Sequence, residues 1–143
     1  MRLPRRLIYL RQEMISLTDS CDSLSTLALA YIGDCVYELL VRTHFVSEGH
    51  NHSLELHRLT VSTVNAVSQA KAAEKIMPFL TDDELSVFKR GRNAKVNSVP
   101  KNASVGEYHA ATGLETLFGS LYLHGQQKRI DELFALIISD KDD

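Results

Sequence analysis

The sequence predicts an all-α fold, and three features support this class. Alternating apolar and polar residues, which are typical of strands, are nearly absent, whereas long helical patterns follow one another. Only three prolines and seven glycines interrupt the 143 residues, mostly where helices are expected to begin or end. The segments TDDE (81–84) and SVGE (104–107) have the Ser/Thr-x-x-Glu pattern of a capping box, which marks a helix start.

Five helices are expected along the chain. Ser23 or Ser25 caps the first, and a loop, SEGHNHS (47–53), follows it. Ser53 caps the second, and the two capping boxes open the third and fourth. Gly125 closes the fourth helix, and an acidic tail follows the fifth. The expected helices span about residues 25–45, 54–77, 82–93, 105–124 and 128–138.

Composition and length indicate one globular domain. Apolar residues make up 44% of the chain and charged residues 24%, the balance of an ordinary folded protein. We expect residues 23–140 to form this domain and residues 1–22 to be a poorly ordered extension, with an organelle-targeting segment as the alternative. No stretch reaches the roughly 18 apolar residues that cross a bilayer. Cys35 lies in an apolar run, which predicts a buried, reduced thiol and a cytoplasmic protein without a membrane partner.

Two acids raise the question of function. Asp34 stands in the apolar run LALAYIGDCVYELLV (27–41) with no basic residue three or four positions away, and Glu115 repeats this pattern in ATGLETLFGSLYL (111–123). A carboxylate buried without a partner is strongly unfavourable. One interpretation is that the two acids face each other and share Mg²⁺ or Mn²⁺, which bind oxygen ligands and water. The alternative is that each acid faces solvent or is neutralised from a distant helix.

Two further polar residues are weaker candidates. Glu38 lies one turn beyond Asp34, but Arg42 follows it by four residues, so an ion pair is a better interpretation than a metal ligand. His57, on the second helix, either contacts a phosphate or only packs. The chain contains no Walker loop, GxSxG or CxxC motif, so these motifs supply no competing nucleotide site or nucleophile.

The segment 87–106, VFKRGRNAKVNSVPKNASVG, concentrates positive charge. It holds five basic residues and no acid, so the remainder of a chain with net charge −2 carries −7. Basic side chains neutralise phosphates, and Asn and backbone groups donate to phosphate oxygens. Together with a two-carboxylate site, this segment suggests metal-assisted cleavage of a phosphodiester; a solvated loop is the alternative. The candidate nucleic-acid-binding residues are Lys89, Arg90, Arg92, Asn93, Lys95, Lys101 and Asn102.

Several of these motifs resemble a known nuclease family. YIGDCVYELL (31–40) resembles the signature of ribonuclease III, and TGLETLFGSLYL (112–123) resembles its second acidic motif. The strings KRGRNAK, VPKNAS and LHRLTVSTVNAVSQA are similar to one subgroup, Mini-ribonuclease III, which has no separate domain for binding double-stranded RNA. The resemblance covers about residues 25–134. Two positions depart from the usual family pattern, because Ala30 and Thr112 stand where carboxylates are expected.

The resemblance implies an all-α endonuclease domain that forms a two-fold homodimer, each subunit cutting one strand of double-stranded RNA. It implies that Asp34 and Glu115 are catalytic ligands of Mg²⁺, with Mn²⁺ as an alternative, and that hydrolysis leaves a 5′ phosphate and a 3′ hydroxyl. It also implies a role in maturation of the 23S (large-subunit) ribosomal RNA precursor. Two other functions remain open: a non-catalytic module that binds structured RNA or the ribosome, and a helical interaction domain whose acids pair internally.

Overall fold

A computed structural model describes residues 24–95 and 99–139, and every regular element within these ranges is helical. This confirms the predicted all-α class. The expectation of a poorly ordered extension at 1–22 falls outside the described residues. No helix in the described ranges is long and apolar enough to cross a membrane. The elements are α1 (Thr26–Ser47), α2 (Ser53–Val64), α3 (Ala66–Ile76), a 3-10 turn (Met77–Phe79), α4 (Asp82–Arg92), α5 (Val105–Leu123) and α6 (Gln127–Ile138).

Helix α5 lies at the centre of the fold. Nearly every residue from 111 to 121 is buried, and α1, α3 and α4 pack around this stretch. The ring of Tyr37 on α1 is buried edge-on against two other rings, with centroid distances of 5.6 Å to Phe118 and 6.1 Å to Phe134. Aromatic pairs in this geometry add about 0.5–1.5 kcal/mol beyond the burial of their area. This cluster therefore joins α1 and α6 to the central helix.

Both predicted capping boxes are present. Thr81 and Ser104 accept hydrogen bonds from the backbone N–H groups of Glu84 and Glu107, and these glutamates accept the N–H of the capping residue in return. Gly125 follows α5 with a φ of +70°, a backbone conformation that glycine adopts without steric cost. The start of α4 and both ends of the central helix are thus determined by local sequence, as expected.

The prediction of one continuous second helix is wrong. The structure has two helices in this range, α2 and α3, which meet at Asn65. The side-chain oxygen of Asn65 accepts the N–H of Ser68 at 2.9 Å and so caps α3. Its side-chain nitrogen donates to the carbonyls of Val61 and Ser62 in the last turn of α2. One asparagine therefore satisfies backbone groups of both helices, which stabilises the break.

The remaining helix ends lie close to their predicted positions. Ser25 caps α1 through its side-chain oxygen, which accepts the N–H of Ala28 at 3.1 Å. Helix α2 begins one residue earlier than expected, because its N-cap is His52 rather than Ser53. The His52 side chain makes no capping hydrogen bond. These small shifts leave the order of the elements unchanged.

Helix α1 is apolar on two faces, and only one of them packs on α5. The outer face repeats every four residues, and three of its side chains, Leu27, Tyr31 and Leu39, are 64%, 79% and 64% exposed. Cys35 lies in the same stripe and is exposed, so the prediction of a buried thiol is wrong. The reason is that Cys35 stands opposite the face that contacts α5. An exposed apolar stripe of this kind indicates a surface for interaction.

Candidate active site

Two glycines bring the backbones of α1 and α5 into contact. A Cβ atom built on Gly33 would lie 1.6 Å from the carbonyl oxygen of Glu115, and one on Gly119 would lie 1.9 Å from the carbonyl oxygen of Leu29. No side chain larger than hydrogen fits at either position. Asp34 follows Gly33 directly, so this crossing places the acid of α1 next to the acid of α5. We call this crossing the glycine seam.

The two predicted acids therefore meet, as the sequence suggested. Burial first, and then the negative charge of Asp34, raise the pKa of Glu115 to about 7, and a hydrogen bond from Gln69 opposes this rise. Burial, followed by repulsion from Glu38, also raises the pKa of Asp34. Among the ion pairs of the described residues, none includes Asp34 or Glu115. Within residues 24–95 and 99–139, the pair of carboxylates thus has no ion-paired cation.

The donor set at this pair is small. Within residues 24–95 and 99–139, no three His, Cys, Asp or Glu side chains are grouped to hold a metal ion. Ala30 and Thr112, where the resemblance described above leads us to expect carboxylates, are each 7% exposed, and the Thr112 hydroxyl donates to the carbonyl of Tyr108 at 3.1 Å. Two carboxylates are nevertheless a suitable set of protein ligands for a hard divalent ion such as Mg²⁺, because Mg²⁺ keeps several water ligands in protein sites.

Glu38 behaves as the sequence predicted. Its carboxylate lies 3.2 Å from the Arg42 guanidinium in an i, i+4 pair on the surface of α1. This pairing accounts for its charge without a metal. His57 is exposed on α2 and lies at the edge of a groove described below.

The basic candidates do not all lie free on the surface. Arg90 donates from Nε to the Thr26 hydroxyl at 2.9 Å, and its guanidinium also donates to the carbonyl of Leu24. These bonds attach the end of α4 to the start of α1, so Arg90 has a structural role that the sequence did not indicate. Gly91, which lies within the basic segment 87–106, is a buried helical residue packed against Thr116, so this part of the segment is not a solvated loop.

The other candidates form two groups. Lys89, Arg92, Asn93 and Lys95 are exposed at the C-terminal end of α4, where Asn93 is the C-cap. Lys101 and Asn102 lie farther along the chain, after residues 96–98, which are outside the described ranges. They line a groove of about 820 Å³ whose opposite wall is the end of α2 and the start of α3. His57 and Arg58 line the same groove, and Arg58 was not among the predicted residues.

Gln69 is the main site residue that the sequence analysis missed. Gln69 is only 2% exposed, and its side chain lies close enough to the carboxyl group of Glu115 to lower the pKa of that group. A signal was present in the sequence: in AVSQAKAAEKI, Gln69 shares one helical face with Ala72, Ala73 and Ile76, all of which are buried. A polar residue on an otherwise apolar stripe requires a buried partner. The identity of that partner depends on the packing of α3 against α5.

Comparisons with known proteins agree with these motifs. A family model described as the ribonuclease III domain matches residues 27–126. A Clostridium tetani protein named Mini-ribonuclease 3 is 42% identical over 117 residues, which are 81% of this chain and 78% of that protein. A protein of the same name from Desulfitobacterium hafniense is 47% identical over 111 residues, or 78% of this chain and 70% of that protein.

A solved structure supports the same fold. The crystal structure of a protein from Fusobacterium nucleatum superimposes with a TM-score of 0.74 at 31% sequence identity. The match covers 81% of this chain and 93% of that chain. The likeness therefore extends over nearly the whole of the compared protein.

Proposed function

This chain belongs to the ribonuclease III family, in the group of proteins called Mini-ribonuclease 3, and is an endoribonuclease; from this premise we propose that it hydrolyses double-stranded RNA with Mg²⁺ held by Asp34 and Glu115. The observation that carries the proposal is the meeting of two carboxylates at the glycine seam, both with raised pKa values and neither ion-paired with another described residue. Such a pair binds a divalent cation because the cation removes their mutual repulsion.

The chain's own residues would contribute in three ways. Asp34 and Glu115 supply the oxygen ligands, and the packed helices around Gly33 and Gly119 keep these ligands at a fixed separation. A bound Mg²⁺, or Mn²⁺ in its place, activates water and stabilises negative charge on the scissile phosphate. The absence of carboxylates at Ala30 and Thr112 leaves more of the coordination shell to water. The products would carry a 5′ phosphate and a 3′ hydroxyl.

We further propose that the active form is a homodimer built on α1. Its exposed stripe of Leu27, Tyr31, Cys35 and Leu39 is a continuous apolar face outside the core. A two-fold axis on this face would bury the same residues from both copies. Two copies would also supply two carboxylate pairs, one for each strand of an RNA duplex.

RNA would be held by the exposed basic residues at the end of α4 and by the groove that contains Lys101 and Asn102. Contacts from Lys89, Arg92 and Lys95 to phosphates would be largely independent of sequence, because the A-form major groove is too narrow for side chains to read. The family resemblance favours a large-subunit ribosomal RNA precursor as the natural substrate, processed in the cytoplasm.

The test uses three single variants and a labelled RNA duplex. We expect Asp34→Asn and Glu115→Gln each to reduce cleavage in Mg²⁺ by more than ~100-fold, since even residues that only orient metal ligands contribute 10–100-fold. Duplex binding, measured with Ca²⁺ if Ca²⁺ does not support cleavage, should stay close to that of the wild type. Glu38→Gln is the matched control, because it removes a carboxylate one turn from Asp34 that is already paired with Arg42.

Cleavage at the wild-type rate in either Asp34→Asn or Glu115→Gln would refute the metal assignment. Equal loss in Glu38→Gln would also contradict it, because the effect would then follow from removing any negative charge on this part of α1.

A further inference from the structure

Arg90 stands among the basic residues at the end of α4, but its side chain is bonded within the protein. Its Nε donates to the Thr26 hydroxyl at 2.9 Å, and its guanidinium also donates to the carbonyl of Leu24. These two acceptors lie on either side of Ser25, the N-cap of α1. Because a guanidinium is planar and its N–H donors have fixed directions, two such bonds restrict its orientation. Arg90 is thus directed at the start of α1.

The stability of α1 does not explain this contact. A positive charge near a helix N-terminus is unfavourable, because it faces the positive end of the helix dipole. Helix α1 has no acidic residue in its first turn to offset that charge. Among the ion pairs of the described residues, none includes Arg90. Two neutral oxygens are its partners, so the contact provides a fixed direction rather than neutralisation of charge.

The last turn of α4 is held from two directions. Gly91 packs on α5, where a Cβ atom at this position would lie 2.4 Å from the Thr116 hydroxyl oxygen and 2.9 Å from the Cα of Gly113. Helix α4 packs far more extensively on α5 than on α1. The side of α4 that faces α1 therefore has little support from packing, and Arg90 supplies an attachment on that side.

The exposed face of the same turn carries the proposed RNA contacts. Lys89, Arg92 and Asn93 are three and four positions apart, so they lie on one face of α4, and all three are exposed. Thr26, which accepts from Arg90, precedes Asp34 on α1 by eight residues, or about 12 Å along the helix axis. A cation that binds one phosphate and a carboxylate that acts at another work together only at a fixed separation.

We propose that Arg90 is a positioning residue for RNA binding: by attaching the last turn of α4 to the start of α1, it holds the face of Lys89 and Arg92 in the orientation that meets the RNA backbone. The same bonds keep that face at a constant distance from Asp34, which lies farther along α1. This inference rests on the proposed function, which places RNA at this end of α4. Arg90 acts in it through its neighbours and not through a phosphate of its own.

The test is a double-mutant cycle on duplex affinity. Thr26→Val removes the hydroxyl that accepts from Arg90 without changing any charge, and Arg90→Met removes the donor. We expect Thr26→Val to weaken binding of a labelled RNA duplex by ~3–10-fold, about the effect of one lost contact, and to have no further effect in the Arg90→Met background. Arg90→Lys should lose as much affinity as Arg90→Met, since an ammonium lacks the planar fork of donors. Fluorescence anisotropy of the full-length protein in EDTA measures binding without cleavage or metal.

Lys75→Met is the matched control. The Lys75 ammonium donates to the carbonyl of Ile137 at 3.1 Å, so it also attaches one helix to another, in this case α3 to α6. Neither residue is among the proposed RNA contacts, and the control should bind the duplex like the wild type. If Arg90→Met does not fold, Thr26→Val and Arg90→Lys, each compared with the wild type, still decide the question.

The possible outcomes separate this inference from the proposed function. Wild-type affinity in Arg90→Lys would mean that the charge of Arg90 contacts a phosphate, which overturns the positioning role. Equal effects of Thr26→Val in both backgrounds, or no effect in either, would also overturn it. A similar loss in Lys75→Met would indicate general loosening of the fold and contradict the inference. Wild-type protein that binds no duplex would overturn both proposals, whereas cleavage by Asp34→Asn tests the metal site alone.

Discussion

The glycine seam makes Gly33→Ala the most informative substitution in this chain. The new Cβ would lie 1.6 Å from the Glu115 carbonyl oxygen and 2.9 Å from the backbone nitrogen of Gly119. Because both obstacles are backbone atoms, no side-chain rotation relieves the clash. To reach an ordinary contact distance of 3.4 Å from the carbonyl oxygen, the Cβ must move by about 1.8 Å. Helices α1 and α5 would have to separate locally by this amount.

The energetic cost follows from this displacement. A gap of 0.5–1 Å already removes a quarter to a half of the dispersion energy between packed atoms, and the seam lies beside the buried side chains of Leu29 and Leu114. Overpacking substitutions usually cost about 1–3 kcal/mol. We expect Gly33→Ala to lower the free energy of unfolding by about 3 kcal/mol or more. Cleavage should fall as well, because the same movement separates Asp34 from Glu115.

Urea unfolding followed by circular dichroism, at equal protein concentration, measures this effect. Gly106→Ala is the matched control: Gly106 is also on α5, but its nearest atom to a new Cβ would be the Ser104 hydroxyl oxygen at 4.0 Å. Gly106→Ala should leave the free energy of unfolding unchanged or raise it by up to ~1 kcal/mol, since alanine favours the helical conformation more than glycine does. A loss of less than ~1 kcal/mol in Gly33→Ala would refute the claim that the seam is rigid.

Three further predictions address charge and assembly. In EDTA, Glu115→Gln should raise the free energy of unfolding at pH 8 by up to roughly 3 kcal/mol at 1.36 kcal/mol per pKa unit, and should change it little below pH 4.5. The reason is that folding raises the pKa of Glu115 from 4.5 to about 7, so the ionised carboxylate destabilises the folded state increasingly as pH rises through this range. Equal free energies of unfolding for the variant and the wild type at pH 8 would contradict this prediction. Replacing Lys89, Arg92 and Lys95 together by Ala should weaken binding to every duplex and reduce the slope of log affinity against log salt by roughly two to three, whereas unchanged slopes would mean that RNA binds elsewhere. Leu39→Asp should convert a dimer into monomers in sedimentation experiments at micromolar concentration, because it places a charge in the apolar stripe; a dimer that persists would exclude this face.

Predictions from the sequence succeeded where the controlling interactions are local. The capping boxes at Thr81 and Ser104 and the end of α5 at Gly125 each depend on residues within four positions. The two acids were recognisable because each lacks a basic partner on its own helix. Cys35 was misjudged because an apolar run marks a helix as largely apolar without saying which of its faces meets the core.

By itself, the sequence of this protein determined where most helices begin and end, and which two acids stand unpaired in apolar helices. Hydrogen bonds of the caps and side-chain periodicity act over a few residues, so this information is present in short segments. Only the tertiary structure decided that Asp34 and Glu115 meet, that Gln69 reaches the second acid, and that Arg90 attaches α4 to α1. These contacts join residues far apart in the chain, and they depend on how closely two backbones approach at Gly33.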